Sequence, residues 1–256
     1  MNTLLLQGKV AVVTGANRGI GRAIVSCFRA HGCSVYACAR QLDALPDIQV
    51  DPPLGADAGF LEWVALDLAS EASIREASRR ILADKRKIDV LVNNAGTASG
   101  ALFQMTSMAE MRRTFEVNLF GPLQFSQGLA RWMARQGGGS IINLASTAAF
   151  VADAGTLAYG SSKAALARAT QSMATELGAS GVRVNAIAQN FVDNPTYFPP
   201  EVQANPAFQE RLAREVPLGR LVTAEEDARF AAYLCSDDAA CFVGQAFPVC
   251  GGWAVR

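Results

Sequence analysis

Val10-Ala11-Val12-Val13-Thr14, followed by Gly15-Ala16-Asn17-Arg18-Gly19-Ile20-Gly21, is the stretch that decides the fold. Lys9–Thr14 reads as a strand. Its apolar, β-branched residues show no polar alternation, the pattern of a parallel strand covered on both faces. An amphipathic segment, Ile20–Ala30, follows the glycines directly. Glycines at a strand-to-helix junction permit a tight turn and let backbone N–H groups approach a pyrophosphate at the positive end of the helix. The spacing is Gly-x-x-x-Gly-x-Gly rather than the common Gly-x-Gly-x-x-Gly, and a glycine triplet alone is weak evidence. Its place between the first strand and the first helix is what gives it weight.

The same rhythm continues outward from this junction. Ser34–Cys38, Leu61–Leu66, Ile88–Asn93, Ser140–Ala145, Arg183–Ala188 and Ala246–Val249 read as further strands. Between them lie helical patterns over Glu71–Asp84, Met108–Arg135 and Leu157–Gly178. Repeated βα alternation implies right-handed crossovers and a doubly wound α/β fold: about seven parallel strands with helices on both faces. Residues 1–256 read as a single Rossmann-type domain, with no internal repeat or low-complexity linker. One stretch breaks the pattern. From Gln189 to Pro217 the chain carries five prolines and the aromatic residues Phe191, Tyr197, Phe198 and Phe208, with no clear strand. It reads as a long excursion with one or two short helices, and such loops in compact domains are usually lids or binding loops.

Composition narrows the function. Half of the 256 residues are apolar and 18% are charged, which fits a well-packed core and argues against disorder. The 23 basic and 23 acidic residues cancel, and no Lys/Arg run offers a footprint for nucleic acid or an anionic membrane. Met1 to Val10 lacks the basic region of a signal peptide, and no apolar run is long enough to span a bilayer, so the cytoplasm is the expected location. Six cysteines without a CxxC pair and a lone His31 give no metal site and are expected to be reduced, mostly buried thiols.

The end of the second strand bears on nucleotide choice. A site for a free ribose 2′-OH places a carboxylate there, whereas a 2′-phosphate wants a cation. The strand runs out as Cys38-Ala39-Arg40 with no acid, and Asp43 comes too late. Arg40, assisted by Arg18 in the glycine loop, can form a charge-assisted fork on a 2′-phosphate. NADP(H) is therefore the expected cofactor.

Further motifs complete the set: Asn93-Asn94-Ala95-Gly96 after the fourth strand, Asn118 within Val117-Asn118-Leu119-Phe120-Gly121, Ser146 at a strand end, and Tyr159-Gly160-Ser161-Ser162-Lys163 thirteen residues later. With these the sequence resembles the short-chain dehydrogenase/reductase family over nearly its whole length, and its 3-oxoacyl-reductase-like members in particular. The resemblance implies a catalytic tetrad of Asn118, Ser146, Tyr159 and Lys163. It implies cofactor contacts at Gly15, Asn17, Arg18, Gly19, Ile20, Gly21, Arg40, Asp67, Leu68, Asn94, Ala95 and Gly96, with Asp67 on the adenine amino group and Asn93 to Gly96 lining the cofactor. Tyr159 and Lys163 complete that list of contacts.

The chemistry can be argued beside the resemblance. Positions i and i+4 share a helix face, so Tyr159 and Lys163 present their polar tips to one site. Reduction of a ketone or aldehyde to a secondary or primary alcohol needs a hydride donor and a proton donor on the carbonyl oxygen. A phenol near pKa 10 is a poor acid–base catalyst at neutral pH unless a neighbouring cation such as Lys163 stabilises its anion. Ser146 holds the substrate oxygen beside Tyr159, Lys163 also bonds the nicotinamide ribose, and Asn118 anchors a water that relays a proton to solvent.

The match departs from the family in one place. A Pro-Gly pair usual after the sixth strand is replaced in Asn185-Ala186-Ile187-Ala188-Gln189-Asn190-Phe191-Val192, where the family holds the nicotinamide carboxamide. Val192 and Thr196 are carried over as cofactor contacts across that change. Halohydrin dehalogenases, which resemble this family but lack the cofactor, and a nucleotide-sensing regulator without turnover are the alternative readings. The intact glycine loop, Lys163 and Arg40 argue against the first, and the complete tetrad against the second. The substrate is a small carbonyl or alcohol, and Phe150, Val151, Leu157, Phe191, Tyr197 and Phe208 suggest an apolar pocket for it. No basic cluster marks an acyl-carrier-protein or coenzyme A dock. Met108–Arg135 and Leu157–Gly178 resemble helices that pair subunits in the family, so a homodimer or homotetramer is expected.

Overall fold

Seven short runs of β-branched and apolar residues form one parallel sheet in a computed structural model, which describes residues 4–43, 45, 46, 48, 59–84 and 86–255. The strands are β1 (Val10–Thr14), β2 (Ser34–Ala39), β3 (Leu61–Ala65), β4 (Val90–Asn93), β5 (Gly139–Ser146), β6 (Val182–Gln189) and β7 (Ala246–Val249). Their order is β3-β2-β1-β4-β5-β6-β7, every neighbouring pair parallel. The chain leaves β1 on one side towards β2 and returns on the other to β4. That reversal is the switch point where open α/β sheets gather ligands at the strands' carboxyl ends.

Side chains alternate across the sheet into two cores. On one face Ala11, Val13, Val90, Val92, Ile142 and Leu144 pack with Ile24, Val25 and Phe28 of α1 (Gly19–Ala30) and with Ala228, Ala231 and Leu234 of α8 (Ala224–Cys235). On the other, Val12, Leu91 and Ile141 pack with Ile74 and Ile81 of α2 (Glu71–Ala83) and with Phe125, Leu129 and Met133 of α4 (Gly121–Arg135). Both faces being buried explains the unbroken apolar strands of the sequence. Helix starts are fixed by side chains that accept from orphan backbone N–H groups: Ser70 from Ser73, and Thr223 from Glu226 in a reciprocal capping box.

The strand and helix boundaries agree with the sequence reading to within a residue or two, with one interruption. The segment read as Met108–Arg135 divides into α3 (Met108–Phe115), a wide π-type turn over Glu116–Phe120, and α4. A π turn carries an extra residue and commonly marks a functional site. Here it sets Asn118 inward, 1% exposed, ahead of the long helix α5 (Leu157–Leu177). The excursion after β6 contains two short helices, α6 (Pro200–Gln203) and α7 (Pro206–Glu215). All six cysteines are free thiols; Cys27 is half-buried, Cys241 exposed and the others buried. Among the described residues no helix is long and apolar enough to cross a membrane.

Candidate active site

The carboxyl ends of the strands open onto a cleft of about 540 Å³, within the usual span for a small-molecule site. It starts at the β1–α1 loop. Gly15 turns there at φ +65°, and a Cβ on it would press on the Ala95 backbone. A Cβ on Gly21, in the first turn of α1, would strike the Gly15 carbonyl. Together they leave a bare backbone shelf, lined also by Asn17, Gly19 and Ile20. Arg18 at the N-cap is extended, its side chain caps no amide, and the first turn holds no acid. The positive end of the helix therefore faces the cleft uncovered. Room, donors and field all fit a dinucleotide pyrophosphate.

Beyond the shelf, Arg40 follows β2 between Ala39 and Gln41, and Asp67 and Leu68 follow β3 in the same wall. Asp67 Oδ1 accepts from the Ala69 N–H at 2.9 Å and its own N–H donates to Ser73 Oγ at 2.9 Å, which fixes the carboxylate in its turn. Arg18 and Arg40 are both exposed, and among the described residues neither enters an ion pair. Asn94, Ala95 and Gly96 line the cleft from β4. Asn94 Nδ2 donates to the Thr14 and Gly15 carbonyls at 2.8 and 3.1 Å, so this turn braces the glycine loop from behind. Asn93, expected beside them, is instead turned into the core by the strand's alternation. It is 2% exposed and donates to Ser126 Oγ and Asn143 Oδ1, each at 2.8 Å.

The four residues of the expected tetrad converge from three elements. Ser146 ends β5; its Oγ donates to the Gln189 carbonyl at 3.1 Å, accepts from the Ala148 N–H at 3.1 Å, and bonds the Tyr159 phenol. Tyr159 stands in the first turn of α5 and Lys163 one turn later, with Lys163 Nζ 5.8 Å from the Tyr159 ring centre. Nζ is buried and donates to the Leu144 carbonyl at 2.6 Å. Asn118 Nδ2 donates to the Thr97 carbonyl at 2.8 Å and Ser162 Oγ at 3.0 Å, and its Oδ1 accepts from the Thr97 N–H at 2.8 Å. Gly96 lies between this amide and Lys163 Nζ, at distances a methyl group would just span.

Burial pushes the Tyr159 phenol up to about 12, Ser146's hydrogen bond pulling only partly the other way. The same burial lowers Lys163 to about 8, and its ammonium is held by the Leu144 carbonyl rather than the phenol. The hydroxyl is thus protonated at neutral pH, the form that can give a proton to a carbonyl oxygen.

The far wall comes from the excursion and corrects two expectations. Val192 does not line the cleft: it is 4% exposed, packs into the core beside α1 and α8, and pairs with Val222. Thr196 does line it, but Asn194 lies deeper, its amide against Gly19 and its Oδ1 accepting from the Thr196 N–H at 2.9 Å. The sequence reading missed Asn194, although an Asn before Pro195 is a turn signal. A second pocket, formed by residues 98–102, residues 154–156, Tyr159 and Tyr197, opens beside the phenol. Of the aromatic and aliphatic residues expected there only Tyr197 contributes. Phe191 with Val151 and Phe208 belongs to a satellite core under the excursion, and Phe150 and Leu157 are exposed.

That satellite core explains the shape of the excursion. Phe191 lies 5.9 Å from Phe198 and 6.2 Å from Trp253, and Leu212, Val216 and Cys250 close the cluster. Cys250 packs there, 4% exposed, away from the reacting groups. Phe191 takes φ +49°, uncommon outside glycine, and its N–H is held by Asn190 Oδ1 at 2.9 Å. Asn190 thus stabilises with a side chain the turn that its neighbour's glycine-like backbone makes.

Comparison with known proteins agrees with the fold and the geometry. The profile of the enoyl-(acyl carrier protein) reductase family matches residues 15–254. D-threitol dehydrogenase of Mycolicibacterium smegmatis is 35% identical over 98% of this chain and 95% of its own. A 7α-hydroxysteroid dehydrogenase complexed with NADH and 7-oxo glycochenodeoxycholic acid superposes with a TM-score of 0.88 at 31% identity, covering 98% of this chain and 96% of that one. L-sorbose reductase from Gluconobacter frateurii, complexed with NADPH and L-sorbose, gives 0.90 at 29% identity, covering 99% of each. The parallel sheet, the glycine shelf and these matches define a Rossmann-type oxidoreductase. The chain belongs to the short-chain dehydrogenase/reductase family.

Proposed function

We propose that this enzyme interconverts a ketone or aldehyde and an alcohol with NADP(H), Tyr159 acting as general acid and base. The observation that carries the reading is the meeting of Tyr159 and Ser146 where the nucleotide cleft and the second pocket join, with the Lys163 tip buried behind them. Bound in the cleft, a nicotinamide dinucleotide supplies or accepts the hydride. The residues that would hold it are the shelf from Gly15 to Gly21 for pyrophosphate, Arg18 and Arg40 for the 2′-phosphate, Asp67 and Leu68 for adenine, and Asn94 to Gly96, Asn194 and Thr196 along the walls. Lys163 would bond the ribose hydroxyls by exchanging its Leu144 carbonyl.

For the chemistry, Ser146 Oγ orients the substrate oxygen towards Tyr159, and the phenol transfers its proton to that oxygen. Asn118 fixes the Thr97 backbone in both directions, and Gly96 keeps the space between Asn118 and Lys163 clear of any side chain. The second pocket, walled by small residues and Tyr197, suits a modest carbonyl compound that enters beside the phenol. Loss of NADPH absorbance on mixing the purified protein with a panel of ketones and ketoses tests the reading; no turnover of any of them, with nucleotide bound, would overturn it.

The excursion closes over this pocket only in part. Asn194, Thr196 and Tyr197 line the cleft, whereas Phe198 and α7 are tied down through Phe208, Leu212 and Val216. Hydrogen exchange with and without NADP(H) and a substrate analogue should therefore show new protection at 194–197 and unchanged protection in α7. Equal gains in both would mean that the whole excursion moves as one lid.

A further inference from the structure

The second pocket holds about 570 Å³, and Tyr159 and Tyr197 line both it and the nucleotide cleft. Its wall carries no charged side chain. Arg113 lines the adjoining cleft but is forked onto Glu110, through Nε and Nη2 at 3.1 Å each, and the same carboxylate takes the Ser99 hydroxyl. Thr156 Oγ1 donates to the Asp153 carbonyl at 2.6 Å, and the Tyr159 hydroxyl is bonded to Ser146. Of the hydroxyl side chains in the wall, Tyr197 alone makes no hydrogen bond among the described residues. The floor is occupied too: the Ala101 N–H donates to the Gly155 carbonyl at 3.1 Å and joins the two loops. What faces the space is bare or apolar. A Cβ on Gly100 would meet nothing nearer than that carbonyl at 3.9 Å, and one on Gly155 nothing nearer than the Ala101 backbone at 3.8 Å. Leu102, in the same wall, is 60% exposed, an apolar side chain that a ligand's own apolar surface would take out of water.

From this we infer that the substrate is an uncharged ketone whose apolar skeleton fills the second pocket, its carbonyl oxygen alone meeting Ser146 and Tyr159. The inference rests on the carbonyl–alcohol reading of the site and adds the class of compound. A polyhydroxy chain would leave water for a wall with one phenol to offer, and each hydroxyl left without a partner weakens binding. A carboxylate would lose its hydration with no cation in the wall to replace it. Methylene groups suffer neither loss. They cover Leu102 and the Tyr197 ring and fill the space over the two glycines. Gly100 and Gly155 are then specificity-determining positions, because a side chain at either would stand where the substrate does. Gly155 also sits at φ +82°, a backbone that few other residues adopt.

Kinetics on matched ketones test this. 2-Butanone, 2-hexanone and 2-octanone share one reacting group, so a change in kcat/KM along the series reports burial of the chain. With NADPH, kcat/KM should rise about two- to fourfold for each added methylene. 4-Oxopentanoate has the shape of 5-methyl-2-hexanone with a carboxylate in place of the isopropyl group, and should fall below it by at least about tenfold. L-Erythrulose, which is 2-butanone with three hydroxyls, should show a KM no lower than that of 2-butanone. Gly100→Val should flatten the rise with chain length, lowering 2-octanone more than 2-butanone. A flat series, a rise that survives Gly100→Val, a preference for 4-oxopentanoate, or a lower KM for L-erythrulose overturns the inference and leaves the carbonyl–alcohol reading in place. So does turnover of L-erythrulose alone. Turnover of none of these compounds, with nucleotide bound, overturns that reading and the inference with it.

Discussion

Replacing Tyr159 by phenylalanine is expected to lower kcat by about a hundred- to ten-thousandfold, the range general acid–base catalysis supplies, with NADPH affinity little changed. Only the hydroxyl is removed. Ser146 remains on the Gln189 carbonyl and Lys163 on the Leu144 carbonyl, so neither neighbour depends on the phenol for its place. The glycine shelf lies on another loop altogether. A phenol held up at about 12 by burial is almost wholly protonated at neutral pH, so the reductive direction has its acid ready. Single-turnover NADPH oxidation together with a nucleotide titration separates chemistry from binding. Residual activity within about tenfold of wild type would remove Tyr159 from the mechanism.

Cofactor choice should turn on Arg40. A hydrogen bond to a charged group is worth about 1.5–3 kcal/mol, which sets a ceiling near a ten- to hundredfold preference for NADPH in kcat/KM. Arg40 and Arg18 are both exposed, so solvent screening places the expected value towards about tenfold. Arg40→Ala should erase most of that by weakening NADPH, with NADH little affected. Ala39→Asp should reverse it, because a carboxylate repels the phosphate and accepts from the ribose hydroxyls. Ala39 is 2% exposed at the inner edge of the wall, so thermal stability is measured beside the kinetics of that variant. Wild-type preference for NADH would refute the reading of the second strand. The two complexes compared above hold NADH in one case and NADPH in the other, so family membership does not decide between them.

Much of this site was legible because its parts are local. The glycine loop, the strand end at Ser146 and the Tyr159–Lys163 pair each follow from a few consecutive residues and a period of 3.6, and the structure places them as expected. What escaped the sequence depends on which way a side chain faces. Asn93 and Asn94 are neighbours, yet alternation sends one into the core and the other to the loop. Val192 lost its place in the wall for the same reason, and Asn194 gained one because the turn at Pro195 folds it back onto Gly19. A hydrogen bond from the Gln189 side chain to the buried Asp227 joins residues 38 apart, one on a strand and one on a helix. No short motif announces it.

The aromatic cluster beneath the excursion divides that segment into two regions with different freedom to vary. Asn194, Thr196 and Tyr197 border the nucleotide cleft or the second pocket and lie outside the aromatic cluster, so exchanging them should retune which substrates are accepted at little structural cost. The part built on Phe198, Phe208, Leu212 and Val216 shares its foundation with Phe191, Cys250 and Trp253, which come from two distant stretches of the chain. Drift in one of these must be matched in the others. A chimera that imports α7 from a relative therefore has to import the residues around Trp253 as well, or it trades a new specificity for a hole in its own keel.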